Sequence, residues 1–487
     1  MKNKSIKVNF IMNVILTMSS FVFPLITFPY VSRIILPVGT GKVSLALSFV
    51  SYFSMFAQLG IPTYGIRACA KVRDNREELT RTVHELLFIN LIMNMISYGV
   101  LAIVLFCVPK LRAERTLYII ISATIILTSI GMEWLYKALE QYTYITLRSI
   151  AFKIISIIAM FALVHEQSDY VIYGAITILA SSASNIFNFI NVHRYIDMRP
   201  LGNYDLKRHI KPVVVFFAMS CATTIYTNLD TVMLGFMTSD AEVGYYDAAV
   251  KIKNVLVSVV TSLGAVLLPR ASYHIQHNQM EQFKRITKGA LDFVVLFATP
   301  LMIYFILFAE ESISFLFGVA YSEAIIPMQI IMPTLLFIGI TNILGIQILV
   351  PLGKEKIVLY SEIAGAVTDV VINFVLIPKY SVVGAAMGTL IAEFVVLLVQ
   401  YKALKDEVME TFKTIHYTRI SVSLLLSSLG AMWIKALGFG YFLTLLISAF
   451  IFFGMYAIYL LWRREEFLVR VLDEVLEKMH IKIESEK

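Results

Sequence analysis

Long apolar runs separated by short polar ones repeat along the whole chain. Fourteen runs read as spans, at about 9–35, 43–66, 83–108, 116–134, 143–164, 170–192, 211–236, 243–268, 287–309, 324–350, 357–377, 382–402, 418–438 and 440–462. A helix needs about 20 mostly apolar residues to cross the hydrocarbon core. In lipid only helices and closed barrels satisfy their own backbone groups. The runs are continuously apolar rather than alternating, so helices are expected, not a barrel. The pattern predicts an all-α polytopic membrane protein with about fourteen transmembrane helices.

Composition narrows the class. Hydrophobic residues make up 58% of the 487 positions, charged ones 15%, and mean hydropathy is +0.76. Soluble domains carry about a quarter charged residues. A soluble enzyme, a disordered chain and a fibrous protein are excluded. Lys2, Lys4 and Lys7 precede an apolar run from Phe10 to about Tyr30. That run is too long for a signal-peptide core and has no small-x-small site after it, so it is expected to stay as the first helix.

Lys and Arg set the expected orientation. With the N-terminus in the cytosol, 31 of the 41 basic residues fall in cytosolic segments, 7 in outer ones and 3 within spans. Both termini and the loops 67–82, 193–211, 269–286 and 403–417 are therefore expected to be cytosolic. The net charge of +7 is a topology signal on this reading, and no nucleic-acid partner is implied. Residues 464–487 read as an amphipathic helix on the inner membrane surface, with Phe467, Leu468, Val471, Leu472, Val475, Leu476 and Met479 on one face.

Little in the sequence points to catalysis. Every outer loop is short, and no G-x-x-x-x-G-K-[ST] run occurs. The three cysteines form no C-x-x-C pair, and the eight histidines lack metal-ligand spacing. No metal or organic cofactor is expected, and the chain is not expected to be an enzyme.

Charges within the spans carry the chemistry, because an ionisable group at membrane depth faces a cavity or a partner. Arg33 ends the first span, the fifth carries Arg148 and Lys153, and the eighth carries Asp247, Lys251 and Lys253. Arg33, Arg148, Lys153, Lys251 and Lys253 are expected to line a cationic cavity, which fits a phosphate or diphosphate. Asp247 and Lys251 lie one turn apart and suit a pair along one helix face. Asp230, Glu362, Asp369 and Glu393 also fall in spans. Asp230, Asp369 and Glu393 either bind a coupling cation, Na+ or H+, or are neutral, hydrogen-bonded structural groups. Gly384-Ala385-Ala386-Met387-Gly388 opens the twelfth span as a close-packing stretch.

Five stretches together resemble the polysaccharide-transport (Wzx-type) flippases of the multidrug/oligosaccharidyl-lipid/polysaccharide exporter superfamily. They are Phe28-Pro29-Tyr30-Val31-Ser32-Arg33-Ile34-Ile35, Tyr64-Gly65-Ile66-Arg67, the Glu133–Tyr142 loop, Asn228–Gly235 with Val243–Ala249, and Leu376–Tyr380 with Val383–Ala386. The chain departs from the family pattern at Ala138 and Pro37, where glycine is usual.

The resemblance implies two six-helix lobes related by a pseudo-twofold axis, 1–208 and 209–408, then two further helices within 409–463. It implies a monomer in the bacterial plasma membrane that moves a polyprenyl-diphosphate-linked oligosaccharide between leaflets by alternating access. A polysaccharide polymerase and glycosyltransferases are the implied partners, besides membrane lipids. The competing readings are a cation-coupled drug or small-solute antiporter of the same superfamily and, from another class, a membrane glycan enzyme.

Overall fold

The computed structural model describes residues 6–277, 279–405, 412, 415–465 and 467–469. Among these the chain is helical, with no strand. The helices are α1 (Ile6–Gln58), α2 (Ile61–Val72), α3 (Arg76–Cys107), α4 (Pro109–Ala113), α5 (Arg115–Gly131), α6 (Glu133–Ala138), α7 (Tyr142–Leu163), α8 (Tyr170–Ile178) and α9 (Asn185–Asn191). They continue as α10 (Lys207–Met237), α11 (Asp240–Gln276), α12 (Met280–Leu307), α13 (Ala309–Leu316), α14 (Ile325–Ile331), α15 (Thr334–Thr341), α16 (Glu355–Ala403), α17 (Tyr417–Met432) and α18 (Tyr441–Trp462).

Ten of the described helices are long and apolar enough to cross a membrane, or eleven when the pair Val319–Ile331 and Thr334–Leu349, bent by 44°, counts as one span. The expected fourteen is thus not the count obtained. The difference has local causes. Both α1 and α16 run through two expected spans across a single non-helical residue, Leu36 (φ 57°, ψ 178°) and Ser381 (φ 49°, ψ −127°). At the first break, Pro37 bars the residue before it from the helical region. Leu36 takes up the turn itself, in a region that costs a non-glycine residue about 1–3 kcal/mol. A third candidate, α11, covers the expected span 243–268 but is outside the count, which is taken over the described residues. The expected surface helix 464–487 lies almost entirely outside the described residues.

Two compact units divide the chain, Met1–Asp247 and Ala248–Lys487. In the N-terminal unit, α7 runs parallel to the first segment of α1. Thr146 bonds the Met12 carbonyl at 2.9 Å, Lys153 reaches Ser19 and Ser20, and Tyr30 bonds the Val164 carbonyl at 2.9 Å. The second segment of α1 runs antiparallel to α10. Gly41 meets Asp240, Leu45 meets Gly235, and Gly60 meets Val213 and Phe217.

Glycine is required at both ends of that pairing. A Cβ on Gly41 would sit 1.7 Å from the Asp240 carbonyl oxygen, and one on Gly60 would sit 2.4 Å from the Phe217 nitrogen. A Cβ on Gly244 would sit 2.1 Å from the Pro37 oxygen.

Apolar packing separates the two ends of this unit. One cluster joins Val31, Val43, Leu111, Leu117 and Val164. The other joins Ile61, Cys69, Leu79, Leu135, Val192 and Val213. The second cluster gathers residues of the segments 67–82 and 193–211, which were expected on one side of the membrane, together with Leu135, Ala138 and Leu139.

In the C-terminal unit, α17 and α18 pack on α12 through Leu296, Ile420 and Tyr456 and through Tyr304, Phe308 and Phe452. The hairpin α16 folds back on itself at Ser381. A Cβ on Gly384 would sit 2.5 Å from the Leu376 oxygen, and one on Gly388 would sit 2.1 Å from Asn373 Oδ1. The small residues of this stretch therefore serve close packing.

Candidate functional site

Of the expected site residues, Lys153 has the most informative surroundings. It lies in the middle of α7, half-buried, and its Nζ donates to Ser19 Oγ at 2.8 Å and Ser20 Oγ at 3.0 Å. Its described partners are neutral hydroxyls, so the positive charge is held without a counter-charge in contact. Both serines already bond the Leu16 carbonyl. An ammonium on such partners has capacity left for an anion.

Arg148 is placed differently. It is buried, and its Nη1 donates to the Ser184 carbonyl at 2.7 Å and to Asn185 Oδ1 at 3.1 Å, with Glu133 at 3.8 Å from Nη2. The planar fork thus clamps α7 to the start of α9, where the π-helical stretch Leu179–Ala183 frees backbone carbonyls. Arg33 is exposed and donates to the Pro29 carbonyl of its own helix. It lies thirteen residues along α1 from Ser20, about 20 Å at the helical rise, so Arg33 and Lys153 occupy different levels.

The acids also divide. Asp230 is buried and accepts a hydrogen bond from the Tyr246 hydroxyl. Asp369 and Asn373 are buried one turn apart beneath Gly388, and Glu393 is buried on the returning segment of α16. Glu362 is half-buried near the start of that helix. Lys251 and Lys253, on α11 in the C-terminal unit, and Asp247, at the end of the N-terminal unit, are all partly exposed.

Two polar features escaped the sequence reading. The first is centred on Glu85, whose side chain is fully buried. Its carboxylate accepts from Arg208 Nε at 2.9 Å, from the Asp205 backbone N–H at 2.8 Å and from His209 Nε2 at 2.7 Å. His209 Nδ1 pairs with the Tyr64 hydroxyl at 2.8 Å. With Tyr64 donating and Nε2–H donating, a neutral imidazole satisfies both ring nitrogens.

The cluster ties α2, α3 and α10 together and absorbs Tyr64 of the quoted Tyr-Gly-Ile-Arg stretch. A Cβ on Gly65 would sit 2.7 Å from Trp134, and Glu140 pairs with Arg73 at 2.9 Å, so the two family-like loops brace each other. Ala138 is the last residue of α6, and the positive φ of this loop, 56°, falls on Glu140.

The second is a cavity of about 430 Å³ within the N-terminal unit. Ser51, Ser54 and Gln58 face it from α1, and Ser220, Thr224 and Asn228 from α10. Each trio recurs at helical spacing on one face, a polar stripe inside an apolar run. Gly41, against the start of α11, and Gly60, just past the end of α1 and against α10, lie on either side of the stretch of α1 that lines the cavity. Among the described residues no group of three or more His, Cys, Asp or Glu side chains suits a metal.

Known proteins resemble this chain over most of its length. The family model described as "Polysaccharide biosynthesis protein" matches residues 6–275, and that described as "MatE" matches 216–375. A protein of Escherichia coli (strain K12) named "Putative O-antigen transporter" is 24% identical over 394 residues, covering 80% of this chain and 95% of the relative. Among solved structures, lipid II flippase MurJ in an inward closed conformation superposes with a TM-score of 0.69 at 16% identity, over 93% of this chain and 99% of that one. An inward-facing multidrug resistance MATE family transporter of the MOP superfamily gives 0.63 at 14% identity, over 83% and 99%. These two likenesses show a shared fold. The match over residues 6–275 takes in more than half of the sequence, and with it the chain belongs to the polysaccharide biosynthesis protein family.

Proposed function

We propose that this protein is a flippase for polyprenyl-diphosphate-linked oligosaccharide units in the bacterial plasma membrane, with both termini cytosolic. The observation that carries this is the near end-to-end similarity to the Escherichia coli protein named for O-antigen transport, which the chain covers over 95% of its length. The membrane-depth chemistry supports it. A diphosphate leaving the headgroup layer loses hydration at great cost. Lys153 offsets part of that cost, since its charge is not already neutralised by a contacting acid.

The substrate then passes between sides by alternating access, at a site near the middle of the bilayer. The two lobes 1–208 and 209–408 and a monomeric state belong to this reading. So do Lys251 and Lys253 as further phosphate ligands, H+ or Na+ coupling through Asp230, Asp369 or Glu393, and supply and removal of substrate by glycosyltransferases and a polymerase. The protein itself performs no bond chemistry on this account.

Deletion of the gene should abolish the surface polysaccharide and cause lipid-linked oligosaccharide to accumulate, with drug susceptibility unchanged. Intact surface polysaccharide together with raised drug susceptibility would overturn the reading in favour of the cation-coupled antiporter.

A further inference from the structure

The cavity between α1 and α10 has a wall unlike that expected of a phosphate site. Its polar lining consists of hydroxyls and amides, with no charged side chain. Three of the six groups, Ser51, Gln58 and Asn228, turn protons back into the protein, and the hydroxyls of Ser54, Ser220 and Thr224 can turn theirs toward the cavity. Ser51 donates to the Ser48 carbonyl at 2.7 Å. The Gln58 amide donates to Ser54 Oγ at 3.3 Å and Thr128 Oγ1 at 3.0 Å, and the Asn228 amide donates to the Thr224 carbonyl at 3.0 Å. Thr124, at the same cavity, pairs with Ser182 at 2.8 Å.

Such back-bonding keeps polar groups satisfied at membrane depth while leaving oxygen lone pairs toward the cavity. The surface offered is therefore a neutral mixture of hydroxyl and amide donors and acceptors. A diphosphate finds no cation on this wall to meet its charge, whereas a polyol matches it with O–H groups that both donate and accept. Leu47 and Met55 share the wall and suit the apolar C–H face of a pyranose ring. The volume of about 430 Å³ lies in the range of about 300–1,000 Å³ for small-molecule sites.

We infer that this cavity binds the sugar portion of the substrate, separately from the cations that meet the diphosphate. The inference rests on the flippase reading and assigns a division of labour within it. It also predicts that recognition of sugar and of diphosphate is separable by mutation.

The test uses the full chain in nanodiscs and two probes, undecaprenyl diphosphate and the same lipid carrying one N-acetylglucosamine. Cys69, Cys107 and Cys221 are first replaced by alanine, and Thr224→Cys or Ser54→Cys is introduced singly as a near-isosteric reporter. The glycosylated lipid should slow maleimide labelling at both positions about fivefold, and the bare lipid should not. In parallel, the Ser54→Leu, Thr224→Leu double variant should bind the glycosylated lipid about tenfold more weakly, the loss of one or two neutral hydrogen bonds, with affinity for the bare lipid unchanged. Equal protection by the two lipids, or no protection while the glycosylated lipid binds, overturns the sugar assignment and leaves the flippase reading standing. Failure of the unmutated protein to bind either lipid overturns both.

Discussion

The Glu85 cluster and the α1–α10 cavity lie in one compact unit and treat polar groups in opposite ways. At Glu85 a fully buried carboxylate meets a guanidinium, an imidazole and a backbone N–H, and Tyr64 completes the chain of bonds. In the cavity the polar atoms are neutral, bonded mainly to their own helices, and face open space. Removing a member of the first set strands a buried partner. Removing a hydroxyl from the second strands nothing. The difference separates residues that hold the fold from residues available to a ligand, and it is visible without knowing the ligand.

Lys153 and Arg148 repeat the contrast on a single helix. Arg148 is clamped to Ser184 and Asn185, whereas Lys153 rests on two hydroxyls that have other acceptors. Of the two cations on α7, Arg148 fixes helix geometry, and Lys153 keeps a donor for a further partner.

The largest effect on stability is expected at Glu85. Glu85→Ala should cost about 3 kcal/mol, because it orphans the buried His209 ring and the Asp205 N–H, while Arg208 is half-exposed and can turn to water. Thermal unfolding in detergent checks it, and a melting temperature equal to that of the unmutated protein would erase the contrast. Next comes Gly41→Ala, which drives a methyl into the Asp240 carbonyl and should cost about 1–3 kcal/mol by overpacking.

Arg148→Lys keeps the charge but loses the fork, and should cost about 1.5–3 kcal/mol. If Arg148 instead meets the diphosphate, this variant will keep its stability and lose transport. Smallest in stability is Thr224→Val, expected within about 0.5–1 kcal/mol because no buried partner is orphaned. Its transport of glycosylated lipid should nevertheless fall measurably.

The helices were legible because lipid demands long apolar runs, and the expected spans fall on helices throughout. The breaks at Leu36 and Ser381 fall between expected spans, 9–35 and 43–66, and 357–377 and 382–402, but that each is a single-residue turn was not legible, since no pattern of polar positions marks it. Glu85 was missed because it sits beside His84 at the start of an apolar run, where a carboxylate reads as interfacial. Its meaning depends on His209 and Arg208, more than 120 residues away in sequence. The cavity was hidden for a related reason. Serine and threonine are common in membrane helices, and only the antiparallel pairing of α1 with α10 turns two polar stripes into one wall. Lys153 was legible as a candidate from its depth alone, although its serine partners were not.

The account rests most directly on where the lipid-linked oligosaccharide resides. In spheroplasts of a strain lacking the gene, an impermeant probe of outer-leaflet glycan, such as a lectin, should find no lipid-linked oligosaccharide. The unmutated protein should restore the outer-leaflet signal. Lys153→Ala should accumulate to the same level and lose at least about tenfold of the signal, while Lys153→Arg should keep part of it, because the ammonium's charge is what meets the diphosphate. Full signal with Lys153→Ala would remove Lys153 from the mechanism, and outer-leaflet glycan in the strain without the gene would contradict the flippase account itself.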